Sequence, residues 1–241
     1  MTREEMIRFL ILRSIGNFLL LFALFGVVAT FGPAFYYEIQ YRLIQARGVH
    51  YTIPKDQTTG FGVILQKEQE KNGLTYSNEP NFASILSGPH EQILVPKDTQ
   101  FSIVIPKIGA SSKIFPNVNA ANENEFLPYL QKGIAHAKGT VFPGMKGNIY
   151  LFAHSTDNFW DVGRYNAVFY LLQDLIPGDD VIVFFENVRH DYIVTGSKIV
   201  DPTEVSYLSN SQQSNQENLI MQTCWPPGTT WKRLLVFAKP K

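Results

Sequence analysis

The sequence predicts an all-β fold of about eight short strands, a barrel or a sandwich, carried behind one N-terminal membrane helix. From Phe101 onward, short β-rich runs are separated by turns containing Gly, Pro, Asn and Asp, with few helical segments between them. That spacing is the pattern of all-β architectures, and closing the sheet into a barrel would leave no exposed edge. From Ser14 to Tyr37 no charged residue occurs. As a helix this stretch spans about 36 Å at 1.5 Å per residue, enough for a hydrocarbon core of about 30 Å.

Composition narrows the function classes. The chain of 241 residues has room for one sizeable domain plus an appendage. Its formal net charge is zero and no run of Lys or Arg stands out, which argues against nucleic acid as a main partner. Aromatics at 13% and charged residues at 17% give no sign of a largely disordered chain. A single cysteine forms no internal disulfide and excludes multi-cysteine zinc sites. The five histidines (His50, His90, His136, His154, His190) are too scattered to spell a metal motif.

In chain order, residues 1–13 carry Arg3, Arg8 and Arg13 against Glu4 and Glu5 and are read as a cytoplasmic N-terminus. Residues 14–37 are read as the transmembrane anchor, closed by Tyr36 and Tyr37 as interfacial aromatics. Val27-Val28-Ala29 loosely fits a cleavage site, but the apolar core is long for a cleaved leader, so a retained anchor is expected. Arg42 and Arg47 follow the span, so the positive-inside rule only leans towards this orientation. Residues 38–97 are read as a juxtamembrane stalk or an extension packed on the flank of the domain. Within it, 38–47 continues the helix until Gly48, 61–71 is a strand turning into a short helix, and 72–96 is loop.

Residues 98–241 form the folded domain. Its expected strands are 101–105, 113–115, 133–137, 147–153, 180–186, 191–199, 219–224 and 234–239. Short helices are expected at 122–130, 168–175 and 203–208, the last opened by Asp201-Pro202-Thr203-Glu204.

The chemistry centres on Leu219 to Ala238, LIMQTCWPPGTTWKRLLVFA. Cys224 ends one apolar run and Arg233 opens the next, with a loop rich in Pro, Gly and Thr between them. Two such runs read as neighbouring strands, so a thiol and a guanidinium could meet at one end of a sheet. The run Gly147 to Ala153 leads in the same way into His154 and Ser155. A thiol nucleophile, an imidazole to move protons and a cation for a developing oxyanion are the needs of acyl transfer. Taken singly, each has a plainer role: a small buried thiol, a structural histidine and a solvated edge charge.

In order along the chain, several motifs resemble those of the sortases, membrane-anchored cysteine transpeptidases of bacterial cell surfaces. Ile103-Val104-Ile105-Pro106-Lys107-Ile108 resembles the family's first strand. Gly133-Ile134-Ala135-His136, with Gly139-Thr140 and Pro143-Gly144, resembles the segment before the histidine strand, and Gly147-Asn148 through Ala153-His154-Ser155 the histidine strand itself. Leu175 with Pro177-Gly178-Asp179 resembles a later leucine and Gly-Asp turn. Thr223-Cys224, Pro226-Pro227-Gly228-Thr229 and Arg233-Leu234-Leu235-Val236 resemble the cysteine and arginine strands.

The resemblance implies a closed eight-stranded β-barrel with short helices and the roles that follow. Cys224 attacks a Thr–Gly-type bond in a surface-protein sorting signal and forms a thioester. His154 moves protons, and Arg233 holds the substrate and the oxyanion. The partners implied are surface proteins carrying that signal and an acceptor amine, on a peptidoglycan precursor or a protein lysine. The setting implied is the bacterial cytoplasmic membrane, with the domain outside it. No cofactor and no metal are expected; calcium activation, known in some sortases, has no readable ligand cluster here.

Thr223, Trp225 and His136 are the candidate substrate-binding residues. Trp225 either walls the pocket or caps the barrel, and His136 is the rival to His154 as the base. Asp157 is a candidate to orient His154. Where the family often has Thr-Leu ahead of the final X-Thr-Cys, this chain has Ile220 and Met221, then Gln222. Glu79-Pro80-Asn81-Phe82 is a poor match to the lid of pilin-polymerising sortases, and the sequence ends at Lys241 without a second span. An anchoring or housekeeping type is therefore expected. The remaining alternatives are a peptidoglycan L,D-transpeptidase, whose histidine and cysteine lie close together in sequence, and a non-catalytic tethered barrel.

Overall fold

The computed structural model describes residues 3–46, 50–52, 91–155, 168–209, 214–227 and 229–241. The expected segment 61–71, the poor lid match at 79–82 and Asp157 lie outside them.

Helix α1 runs unbroken over Arg3–Ala46, about 66 Å at 1.5 Å per residue. Within it, Arg3–Ala29 is apolar enough and long enough to cross a membrane, and its side chains face away from the rest of the protein. This span starts earlier than the expected 14–37. A helix does not register where its charges stop, so Arg3, Glu4, Glu5, Arg8 and Arg13 are as helical as the apolar residues after them. The side chains of Tyr36 and Tyr37 lie outside the described residues. Near the helix's end, Tyr41 packs against the core of the folded domain.

Two short strands that the sequence did not suggest, β1 (His50–Thr52) and β2 (Glu91–Ile93), pair in parallel. The second falls in the stretch expected to be loop. β1 is held against the domain by Tyr51, whose ring lies 3.0 Å from where a Cβ on Gly109 would sit, and Gly109 has φ +63°. Only glycine meets both demands at that position.

The domain is a closed barrel of eight strands: β3 (Phe101–Ile105), β4 (Ala110–Val118), β5 (Ile134–Ala137), β6 (Gly147–Phe152), β7 (Asp180–Phe185), β8 (Val188–Val200), β9 (Glu217–Trp225) and β10 (Lys232–Pro240). Their order around the barrel is β10-β8-β7-β3-β4-β5-β6-β9, with β9 closing onto β10. β4–β5 and β6–β9 are parallel pairs and the other neighbours are antiparallel. All eight expected strands are present, and several are longer than expected because polar residues on the outer face break the apolar run without ending the ladder. β4 is the extreme case: Lys113–Phe115 was legible, and Ala110–Val118 forms.

Side chains alternate between two cores. Ile103, Ile114, Leu151, Val183, Met221 and Val236 fill the barrel interior. Their neighbours in sequence, among them Tyr150, Phe152, Ile220 and Leu235, form a second cluster on the outer face of β5, β6, β9 and β10. That face is covered by α2 (Glu123–Leu130), through Phe126 and Leu130, and by α3 (Ser206–Ser209), through Tyr207 and Leu208. Burying each large aliphatic side chain contributes about 1.5–3 kcal/mol. Gly133 lets the chain turn from α2 into β5, since a Cβ there would lie 2.4 Å from the Lys113 carbonyl oxygen.

The third expected helix starts later than its sequence signal. The Ser206 N–H and hydroxyl both donate to the Glu204 carboxylate, so Glu204 caps α3 from outside it. The expected helix at 168–175 forms as a 3₁₀ turn over Tyr170–Asp174.

Candidate active site

The site is assembled by the register of three adjacent strands. Arg233 of β10 lies directly opposite Cys224 of β9. Directly opposed residues of an antiparallel pair share a face, so the thiol and the guanidinium are neighbours on the outer face. On the other flank β6 runs parallel to β9, with Tyr150 beside Ile220 and Phe152 beside Gln222. The alignment continues past the strand end, where the Ala153 N–H donates to the Gln222 carbonyl at 3.1 Å. His154 therefore comes level with Cys224. Along β6, Ile149, Leu151 and Ala153 face the interior while Tyr150 and Phe152 face outward; the alternation puts His154 outward too. His154, Cys224 and Arg233 are each half-buried.

Local contacts hold this end of the sheet. Thr223 is buried, and its hydroxyl donates to the Ala153 carbonyl at 3.1 Å. It thus ties the strand bearing Cys224 to the backbone that leads into His154. Arg233 Nη1 donates to the carbonyls of Thr230 and Lys232, each at 3.0 Å, which sets the guanidinium against its own loop. That loop is further closed by the Thr229 N–H and hydroxyl donating to the Pro226 carbonyl at 3.0 and 2.8 Å. Lys232 Nζ meets Asp201 at 2.6 Å, an exposed pair of the kind that adds little stability.

Below the three residues, Tyr150 is almost fully buried and its hydroxyl donates to Gln222 Oε1 at 2.6 Å. Burial pushes its pKa well above the usual phenol range, a rise partly offset by the Arg233 charge. Tyr150 therefore remains a neutral donor at any physiological pH. Neither residue was singled out as functional from sequence. The one available signal was Gln222, a polar side chain inside the apolar run Leu219 to Cys224.

The other expected site residues face elsewhere. His136 is fully buried on the interior side. Its Nδ1 accepts from the Asn117 N–H at 3.3 Å, and its Nε2 lies 3.0 Å from the Val141 carbonyl and 2.9 Å from the Thr140 hydroxyl. The ring stacks on Phe142 with centroids 4.5 Å apart. An Nε2–H donating to Val141 while Nδ1 accepts satisfies a neutral imidazole, and burial lowers its pKa. Thr223 also turns inward, and Trp225 packs against the interior cluster, on the side of the barrel cap. None of these three side chains lies on the face that carries Cys224. Among the described residues no group of three or more His, Cys, Asp or Glu is placed to hold a metal ion.

Residues 103–241 match the family model described as Sortase domain. The chain belongs to the sortase family. A curated relative, sortase D of Bacillus subtilis (strain 168), is 28% identical over 182 residues, covering 73% of this chain and 79% of the relative. Among solved structures, sortase C-1 from Actinomyces oris superposes with a TM-score of 0.50 at 25% identity, over 60% of this chain and 76% of that one. Sortase C1 of GBS pilus island 1 gives a TM-score of 0.50 at 20% identity, over 77% and 86% of the two chains, and shares the fold. This sortase is thus a transpeptidase built on the closed barrel, with one N-terminal helix suited to a membrane.

Proposed function

We propose that this sortase cleaves a Thr–Gly-type bond in a surface-protein sorting signal through a Cys224 thioester and transfers the acyl group to an amine. The observation that carries this reading is the shared level and face of His154, Cys224 and Arg233 on β6, β9 and β10. Sequence-distant groups come level there on one sheet, each half-buried. The Cys224 sulfur, giving up its proton to His154, attacks the Thr carbonyl carbon. Charge builds on the carbonyl oxygen, and the Arg233 guanidinium supplies the cation that stabilises it. As the C–N bond breaks, His154 returns the proton to the leaving amine, and a thioester remains. An incoming amine, losing a proton to His154, then attacks the thioester. The C–S bond breaks, the thiol recovers its proton and a new amide is released. No cofactor enters the scheme.

The donor partners are surface proteins carrying the sorting signal, and the acceptor is an amine on a peptidoglycan precursor or a protein lysine. α1 would hold the enzyme in the bacterial cytoplasmic membrane with the barrel outside. The test is mass spectrometry of the full chain in detergent micelles, mixed with Thr–Gly peptides varied at the preceding positions and with an amine acceptor. A cut between Thr and Gly with an acyl adduct on Cys224 supports the proposal. No adduct with any peptide, together with a Cys224 that resists thiol reagents until the protein unfolds, would refute it.

A further inference from the structure

The outer face next to Cys224 is largely apolar, and the polar pair Asn148–Asn218 at its far end is satisfied within the protein. Ile220, Phe152 and Leu235 are buried there, yet Gln222, two residues before Cys224 on the same face, is polar and half-exposed. Its Oε1 accepts the Tyr150 hydroxyl at 2.6 Å. Tyr150 is only 2% exposed, so it needs that partner, since an unpaired buried hydroxyl would be costly. With the Tyr150 hydroxyl donating, the Gln222 oxygen is used and the NH₂ is left over. Among the described residues Gln222 Nε2 has no hydrogen-bond partner.

Strand geometry places this donor at a defined distance from the chemistry. Two residues along a strand is about 6.6 Å, and an extended peptide laid over the outer face along β9 has the same repeat. A donor peptide whose scissile carbonyl sits at Cys224 therefore brings to Gln222 the residue about two positions away. We propose that Tyr150 and Gln222 form a polar specificity subsite that selects acyl-donor peptides with a hydrogen-bond-accepting side chain, an amide or carboxylate oxygen, about two residues from the scissile bond. Tyr150 acts through Gln222 and is the positioning member of the pair; Gln222 touches the peptide. The proposal rests on the transpeptidase reading above and gives it a substrate class. A purely apolar side chain at that position would cover the Gln222 amide without pairing it, and that loss is what makes such a site selective.

The experiment measures the rate of Cys224 acyl-adduct formation for the full chain in detergent micelles. The probes are Thr–Gly peptides scanned with Gln, Glu, Leu and Lys at each position within three residues of the scissile bond. At one position the wild-type protein is expected to favour Gln or Glu over Leu by about tenfold, the scale of one net hydrogen bond. Gln222→Leu should abolish that preference. Gln222→Glu, which presents only acceptors, should turn it towards Lys. Tyr150→Phe should flatten it, because an untethered amide can turn either its oxygen or its nitrogen outward. Thermal melting checks that each variant is folded; Gln222→Glu, nearly the same shape, answers the question if Gln222→Leu does not fold. An adduct on Cys224 with the same selectivity in the wild type and either folded Gln222 variant overturns the subsite and leaves the transpeptidase standing. No adduct with any peptide overturns both.

Discussion

The two faces of the β5–β6–β9–β10 sheet carry the same residue types and hold them differently. Each face holds a histidine and hydrogen-bonding side chains. On the inner face His136 is sealed between Phe101 and Phe142 with both ring nitrogens engaged, and Thr223 spends its hydroxyl on a backbone carbonyl. On the outer face His154, Cys224 and Arg233 stand half-exposed at one level of three strands. Inside a barrel a polar group must be satisfied by the protein itself, or the fold loses stability. At the half-exposed end of a sheet solvent can share that task. The same imidazole is thus a structural pin in one place and, in the proposed reaction, a proton carrier in the other.

The largest expected effect tests the outer face. Cys224→Ala should abolish turnover and adduct formation while the melting temperature stays within about 2 °C of the wild type, because only the nucleophile is removed. His154→Ala and Arg233→Ala should each lower kcat/KM by about 10²–10⁴-fold in steady-state transpeptidation. A His154→Ala enzyme of near-normal rate would remove His154 from the mechanism and blur the contrast with His136.

The inner face should respond in stability. Leu151→Ala, which empties a fully buried position, should cost about 2–5 kcal/mol in denaturant unfolding, with kcat per folded molecule changed far less. Equal losses of stability and turnover at constant folded fraction would show that the two faces are not separable.

A smaller effect concerns pH. Burial lowers the pKa of His136 in the folded state, so the unfolded chain binds its proton first as pH falls. The contribution of the neutral ring is complete above about pH 6.5, the unfolded value, and is lost as pH drops from there through the folded pKa. Denaturant titrations at pH 7.5 and pH 5 should show a loss for the wild type that is reduced in His136→Asn. An unchanged pH dependence in that variant would contradict the assignment of His136 as a neutral core group.

The smallest effect separates anchoring from chemistry. Thr223→Val keeps the shape and removes the bond to Ala153, at about 1 kcal/mol of stability. If that tie positions His154, kcat should fall by about tenfold with KM little changed, and Thr223→Ser should restore it.

The sequence was a good guide where a signal is local. An uncharged run long enough to span a bilayer, eight β-rich runs and their turns depend on residues next to one another. The ordered motifs around His154, Cys224 and Arg233 singled out the candidate trio by resemblance. Strand ends were less legible: Ala110–Val118 and Val188–Val200 extend through polar outer-face residues that break an apolar pattern without breaking backbone pairing. β1 and β2 were missed because three-residue strands are defined by the partner they find, and here that partner is about forty positions away.

The sequence by itself determined the alternation of side chains along each strand, the apolar N-terminal span and the one thiol that is the candidate nucleophile, since these follow from backbone periodicity and residue chemistry. Only the tertiary structure decided which face each strand turned inward and which residues came level across it. Those depend on register, and a slip of one residue along β9 would have sent Cys224 into the core and Thr223 to the surface. The same register turned His136, Thr223 and Trp225 away from the Cys224 face and brought Tyr150 to Gln222. No local pattern could supply that, because the pairing energy is shared among many contacts between residues far apart in the chain.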